Sequence, residues 1–292
     1  MSKRESTYQA WLGRFTRVAD HVADNLDAPL DLIRLAEIAC LSPYHFQRCW
    51  LAFTGETLAQ MVTRLRLHRA AGELLRDDTA VETIGRRAGY GSAAAFTRAF
   101  ARAYGRPPAA YRAAGRISPP LSINQKPEGD LRMFEVRIED TEPLTLAAAH
   151  HLGDYMEIEK TFNRVMAHFA AKGALGKGPL QGPPRMIGVY YDDPDQVPRA
   201  ELRADAGLVV PPDTEVEDPI TLVELPGGPH AVLRFKGPYA ELDGAYRWLY
   251  GTWLPQSGRE PADAACFEDY LTNPREVPAA ENVTEIHLPL KA

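Results

Sequence analysis

A chain of 292 residues is long enough for two domains at roughly 100–200 residues each, and 45% hydrophobic with 25% charged residues suits a packed protein rather than a disordered one. No apolar run reaches the roughly 18 residues of a bilayer span, the N-terminus MSKRESTYQAWLGRF has no apolar leader segment, and Cys40, Cys49 and Cys266 have neither metal-knuckle nor disulfide-framework spacing. The expectation is a cytoplasmic protein with no membrane partner, no metal and no cofactor. The net charge of −6 is uneven: residues 1–116 carry 17 Lys and Arg against 11 Asp and Glu, and residues 117–292 carry 16 against 28. Of the first 17 basic residues, 16 are arginine, which fits a polyanion-binding unit joined to a unit with a different task.

Residues 7–115 read as nearly continuous helix. Trp11, Phe15, Val18, Val22 and Leu26 keep helical spacing up to a break at Asp27-Ala28-Pro29. Leu32, Leu35, Ile38 and Ala39 mark a short second helix. A turn at Leu41-Ser42 leads into a third, with Ser42 as N-cap, Pro43 as first helical residue and Gly55 as stop. A longer helix over 57–75 follows. The pattern then returns: Ser42, Phe46, Arg48, Trp50 and Gly55 are matched fifty positions later by Ser92, Phe96, Arg98, Phe100 and Gly105. Ala39 matches Ala88 at an offset of 49, so the second turn holds one extra residue. Each copy describes a helix-turn-helix. The helix between them spans about 28 Å at 1.5 Å per residue, compatible with the roughly 34–36 Å repeat of the major groove.

Such a unit reads DNA with polar side chains near the start of its second helix. In the first copy these are Tyr44, His45, Gln47 and Arg48, where glutamine suits adenine and arginine suits guanine. In the second they are Ser92, Ala93, Ala94, Thr97 and Arg98, whose alanines offer thymine methyls a contact and no hydrogen bond. That copy is expected to contribute phosphate and shape contacts. For Arg48 and Arg98, which stand beside core phenylalanines, the alternative is an ion pair inside the bundle. Arg64, Arg66, Arg69, Arg86, Arg87, Arg102 and Arg106 are further phosphate candidates.

The stretches Ala88-Gly89-Tyr90-Gly91-Ser92, Phe96-Thr97-Arg98-Ala99-Phe100 and Gly105-Arg106-Pro107-Pro108 followed by Tyr111-Arg112 closely resemble the signature of AraC/XylS-type transcription regulators over about residues 7–113. The resemblance implies a bacterial regulator of double-stranded DNA whose two recognition helices enter adjacent major-groove segments of one asymmetric site. It also implies activation through contact with RNA polymerase. Two reading heads in one chain remove the need for a symmetric partner, so a monomer on DNA, at the nucleoid, is expected. Cys40 departs from the second copy, which has Gly89 in its turn, and this predicts a slightly different turn.

Residues 116–131, rich in Pro, Gly and polar residues, read as a linker. Beyond it the hydrophobic period changes to two, with strands predicted at 133–138, 143–151, 186–191, 206–210, 220–224, 229–235, 265–271 and 283–288, and helices near 155–171 and 239–253. This half also repeats. Gly153-Asp154-Tyr155 returns as Gly237-Pro238-Tyr239 and Phe162 as Tyr246 at an offset of 84, and Tyr190 returns as Tyr270 at 80. The expected fold is therefore an all-α domain over 1–115 with two helix-turn-helix units, followed by an α+β domain over 132–292. The latter is built from duplicated strand-helix-strand-strand units with a groove between them.

On a strand, Glu268 and Tyr270 share one face. A carboxylate among apolar strand residues is costly unless paired or solvated. One carboxylate with aromatic faces suits a small lipophilic cation or aromatic ligand, and Tyr155, Tyr190, Trp248 and Trp253 are candidates for those faces. The alternative places the aromatics in the core and Glu268 at a rim, paired with an arginine. The Glu268-Asp269-Tyr270-Leu271-Thr272-Asn273-Pro274 stretch, the duplicated unit and the terminal Val283-Thr284-Glu285-Ile286-His287-Leu288-Pro289 resemble a GyrI-like (SHS2-type) effector-binding domain over about 132–292. An AraC-type module ahead of such a domain is the arrangement of Rob-like regulators. The resemblance implies that Glu268 sits in the ligand groove, with multidrug sensing as the task. Two other readings stay open: a hydrolase of small electrophiles using Glu268 as base and Tyr270 as acid, or a protein-interaction module. Gly176-Lys177-Gly178 reads as a turn rather than a dinucleotide loop. Asp192-Asp193-Pro194-Asp195 lacks the Gly and distal Glu of a calcium loop. His150 and His151 point to opposite faces of a strand, which excludes a shared metal.

Overall fold

The computed structural model describes residues 3–115, 133–175, 180 and 182–292; the predicted linker over 116–131 and the Gly176-Lys177-Gly178 turn lie outside the described residues. The first half is helical: α1 (Lys3–Asp24), α2 (Leu32–Ile38), α3 (Pro43–Thr54), α4 (Leu58–Arg76), α5 (Val81–Arg87), α6 (Ala93–Tyr104) and α7 (Pro108–Ala114). Helices α2 and α3 form one helix-turn-helix, and α5 and α6 form the other. Helix α4 joins them and opens on a reciprocal cap, in which the Thr57 hydroxyl accepts from the Gln60 amide while the Gln60 side chain accepts from the Thr57 amide. Ser92 caps α6 with its side chain, and Gly55 and Gly105 end α3 and α6 in the left-handed conformation, whereas Ser42 stands at the N-cap position of α3 without a side-chain capping bond. Phe96, Phe100, Tyr104 and Tyr111 make successive ring contacts in the core of the second unit, with Phe100 stacked on Tyr104 and Tyr104 edge-on to Tyr111.

Cys40 and Gly89 occupy the same left-handed position, but the turns differ in length: Cys40-Leu41 leads to Ser42 where Gly89-Tyr90-Gly91 leads to Ser92. Cys40 takes φ 55° and Gly89 φ 87°, and in both the next residue's amide donates five residues back, Leu41 to Ala36 and Tyr90 to Gly85. The helix-turn-helix demands a left-handed residue there, and the first unit supplies it with a side chain that strains to adopt it.

Among the described residues the second half forms one antiparallel sheet of eight strands: β1 (Val136–Thr141), β2 (Leu144–Leu152), β3 (Met186–Tyr190), β4 (Arg203–Val210), β5 (Thr221–Leu225), β6 (Gly228–Lys236), β7 (Cys266–Tyr270) and β8 (Val283–Pro289), in the order β1-β6-β8-β7-β3-β4-β2-β5. Exchanging each of the first four strands with its counterpart four later reverses this order onto itself. The duplication read from sequence is therefore a pseudo-twofold axis between β3 and β7. Each predicted strand-helix-strand-strand unit gains one leading strand, and β1 and β5 are exchanged between halves, so that β1 pairs with β6 and β5 with β2. The tight connections at this exchange touch: a Cβ on Gly227 would lie 2.7 Å from the Thr141 carbonyl oxygen. β1 begins three residues later than predicted, because its register is set by pairing with β6 and not by its own alternation.

Helices α8 (Glu159–Ala171) and α9 (Leu242–Trp248) lie on one face of the sheet, and α9 continues through a π-turn at Leu249–Trp253 into α10 (Leu254–Ser257). Ile187, Val189, Phe267, Leu146 and Ala148 fill a separate core on the other face. The helical half docks on α9 and α10, and its core is continuous with that of the second half: Trp11, Phe15, Phe46 and Trp50 join Leu242, Ala245, Tyr250 and Leu254 in one cluster. Arg14 pairs with Glu260 across the same junction.

Cys40→Gly relieves the left-handed strain. It is expected to raise the unfolding free energy by about 1 kcal/mol, read as a higher urea midpoint with an unchanged slope.

Candidate functional site

A cavity of about 1010 Å³ opens between α8 and α9, floored by β3 and β7, a volume at the upper end of the roughly 300–1,000 Å³ of small-molecule pockets. Strand alternation decides what faces it. Cys266, Glu268 and Tyr270 project from one side of β7, opposite Tyr190, Gly188 and Met186 of β3 in register. Glu268 pairs directly with Gly188, which is also its counterpart in the duplication. The pseudo-twofold axis thus passes through a position that holds a carboxylate on one strand and no side chain on the other. A Cβ at 188 would meet the Tyr190 ring at 2.9 Å, so glycine there leaves room for that ring.

Glu268 is buried, and both carboxylate oxygens accept tyrosine hydroxyls: Tyr246 at 3.0 Å and Tyr270 at 2.8 Å. Tyr270 and Tyr190, equivalent in the duplication, share a short hydrogen bond. Burial, and then the neighbouring Glu268 charge, hold the hydroxyls of Tyr246 and Tyr270 well above their usual range, so both are donors at neutral pH. Burial pushes the Glu268 carboxyl up to about 7, against the hydrogen bonds from Tyr270 and Tyr246 and the Arg48 guanidinium. The site therefore holds one carboxylate poised to change charge near neutrality.

The structure brings Tyr155, Tyr190, Glu268 and Tyr270 to the cavity wall, and leaves Trp248 and Trp253 away from it. Both tryptophans pack against the hydrophobic core instead, Trp248 edge-on to Phe134 at 5.5 Å. Their helix turns its other face to the cavity and presents Tyr246 and, in the π-turn, Tyr250, while Tyr239 reaches the cavity from the 3-10 turn before α9. The four-residue spacing of Tyr246 and Tyr250 marks one helical face, a signal present in the sequence.

The DNA-reading residues part company between the two units. In α6, Ser92, Ala93, Ala94 and Arg98 are exposed and Thr97 is half-buried. In α3, His45 is fully buried and Arg48 only 9% exposed, because this helix faces the second half. His45 Nδ1 and the Tyr250 hydroxyl are hydrogen-bonded at 2.7 Å, and Gln196 Nε2 donates to the Gln47 carbonyl at 2.9 Å. Tyr44, 37% exposed, lies 6.2 Å from the Tyr191 ring. Burial, then Arg48, depresses His45 to about 3, so it is neutral at this junction. Among the described residues Arg48 makes no ion pair inside the bundle; its Nη2 donates to the Asp192 carbonyl at 2.9 Å and its guanidinium lies over Tyr246. In this arrangement the His45 and Arg48 side chains are turned into the junction between the halves. Several phosphate candidates are tied down locally: Arg64 by Glu56, Arg69 by Asp27, Arg87 by Glu73, and Arg66 by the Leu26 carbonyl.

The Glu268 value, raised above the ordinary 4.5, makes a stability contribution that is complete below about pH 4.5 and lost as pH rises through 7. Glu268→Gln removes that slope. Between about pH 5 and pH 8 the wild-type chain is expected to lose on the order of 2–3 kcal/mol more than the variant, measured by urea unfolding across the range.

Among known proteins, residues 134–291 match the GyrI-like small molecule binding domain and residues 35–114 match a helix-turn-helix domain. A DNA gyrase inhibitor of Yersinia enterocolitica is 32% identical over 144 residues, which cover 48% of this chain and 87% of that protein. The MmsAB operon regulatory protein of Pseudomonas aeruginosa is 35% identical over 92 residues, 32% of this chain and 30% of that protein. The EcmrR C-terminal domain superposes with a TM-score of 0.47 at 18% identity, covering 55% of this chain and 99% of that one. With its family model spanning more than half the residues, the chain belongs to the GyrI-like small molecule binding family and is a DNA-binding transcription regulator with an AraC-type helix-turn-helix domain ahead of the binding domain.

Proposed function

We propose that residues 132–292 sense a small lipophilic cation, that residues 1–115 read DNA, and that residues 116–131 join the two. The observation that carries this reading is Glu268: a buried carboxylate, hydrogen-bonded by two tyrosines, in a large cavity walled by aromatic rings. An isolated charge is costly in such a place unless a counter-charge arrives. A cation with aromatic or alkyl bulk supplies that charge, gains from the tyrosine faces and fills the apolar wall of Phe162, Met166 and Met186. The tyrosine hydroxyls on Glu268, the Arg48 guanidinium beside it and the aromatic cavity walls suit a carboxylate that holds a ligand, which supports sensing over hydrolysis. The exposed face of α6 supports DNA contact by the second reading head, with Arg98 as its base-directed side chain and Ser92, Ala93, Ala94 and Thr97 around it. Two heads in one chain support a monomer on an asymmetric site, acting at the nucleoid in the cytoplasm, and activation through RNA polymerase follows the AraC-type resemblance.

Two outcomes test this. Isothermal titration with tetraphenylphosphonium should show affinity rising about tenfold from pH 6 to pH 8 as Glu268 ionises, while neutral triphenylphosphine oxide shows no such rise. In Glu268→Gln the pH dependence should vanish; equal losses for the cation and the neutral compound would exclude a charge-selective role. Arg98→Ala should weaken binding to duplexes that the full chain enriches from a random pool by about tenfold or more, and unchanged affinity would remove α6 from the reading surface.

A further inference from the structure

The duplicated helix-turn-helix contains its own comparison. Arg48 and Arg98 occupy the same position in equivalent helices, yet Arg98 is exposed while Arg48 is inserted into the effector cavity together with Leu51 and Ala52 of α3. The Arg48 guanidinium carbon sits 4.8 Å from the Tyr246 ring centre and 6.0 Å from that of Tyr250. The hydroxyl of that same Tyr246 donates to Glu268. One tyrosine thus offers its face to a cation and its hydroxyl to the cavity's carboxylate, the combination that a lipophilic cation would use. Among the described residues Arg48 forms no ion pair, and its hydrogen bond goes to a backbone carbonyl. Arginine stays charged wherever it is placed, so this is a buried charge held by ring faces, one carbonyl dipole and, at longer range, the Asp193 and Glu268 carboxylates of the same cavity, a set of contacts that another cation can take over. The surrounding contacts close α3 at the same time, since His45 and Gln47 are engaged with Tyr250 and Gln196.

We propose that Arg48 is a specificity-determining residue of the effector cavity, a tethered occupant of its cation subsite that an incoming lipophilic cation displaces, freeing α3 for DNA. The inference rests on the cation-sensing reading above and adds what the ligand competes with. Displacement couples the two halves without a separate relay, because the displaced group belongs to the helix that must be released. A ligand can shift the protein only through different affinity for the docked and released arrangements. Here that difference is direct: in the docked arrangement the subsite is filled.

The test uses the full chain and tetraphenylphosphonium chloride as the probe. Isothermal titration compares wild type with R48Q, which empties the subsite of charge, and R48K, which keeps it. Hydrogen exchange follows the α3 amides of wild type with and without saturating probe. The expected result is binding about tenfold tighter in R48Q, near wild-type affinity in R48K, and faster α3 exchange in the bound wild type. If wild type binds the probe but R48Q binds equally or more weakly, or α3 exchange is unchanged or slower, displacement is overturned while the cation reading stands. If neither wild type nor R48Q binds, the cation reading falls and displacement with it. Should R48Q lack a cooperative unfolding transition, the exchange measurement on wild type decides by itself.

Discussion

The Arg48 guanidinium, wedged between the Tyr246 ring and the Asp192 carbonyl, is the contact on which the relation of the two halves turns. Around it the helical half and the sheet half share one apolar core, in which Phe15 meets Trp50 edge-on at 5.7 Å and α3 lies against the π-turn after α9. The extra residue that a π-turn accommodates widens the helix at Leu249–Trp253. It places Tyr250 against His45 and Gly251 against Ala52, so closely that a Cβ on Gly251 would lie 3.1 Å from that of Ala52. The apolar packing alone would be nondirectional. The buried guanidinium and the neutral His45 give it one orientation, because each is costly to bury without the partner it has found.

The same junction gives the effector cavity its asymmetry. The sheet is nearly two-fold in topology, and several cavity residues come in equivalent pairs: Tyr155 with Tyr239, and Tyr190 with Tyr270. Where the pairs break, the chemistry appears. Gly188 faces Glu268, which leaves one carboxylate on the axis instead of two in repulsive contact. Phe162 stands opposite Tyr246, so only one helix brings a hydroxyl to that carboxylate. Helix α3 lies against α9 and its π-turn and not against the equivalent α8, which adds a cation on the same side. A duplicated scaffold supplies the aromatic walls, and departures from duplication supply the charge.

Electrostatic division of labour between the halves follows. The arginine-rich helical half keeps Arg98 and Arg102 of α6 at the surface, while other arginines are paired with Glu56, Asp27 and Glu73. The acidic half spends several carboxylates on fixed structure: Asp192 holds Arg203 through its side chain, and Asp269 and Glu285 bind Arg185, Arg137 and Arg234 on the face away from the cavity. Glu268 is different in kind, since it faces the cavity with tyrosine hydroxyls as its hydrogen-bond partners.

Both helix-turn-helix units, the Ser92 cap and the glycine stops, the duplicated second half and, to within about three residues, all eight strands were legible from sequence, because hydrophobic periodicity, capping side chains and turn residues are local signals. Glu268 with Tyr270 was legible for the same reason, two residues on one strand face. Trp248 and Trp253 were misplaced because helix periodicity tells which residues share a face and not which face meets the sheet. That Cys40 takes the same left-handed conformation as Gly89 was not legible, because residue preference suggests a conformation whereas the packing of α2 against α3 imposes it. What only the tertiary structure decided is the use of the first recognition helix. Arg48 reaches Asp192 across 144 residues and His45 reaches Tyr250 across 205. No local pattern encodes such a meeting, so two helices with the same signature were given opposite environments by the packing of one half on the other.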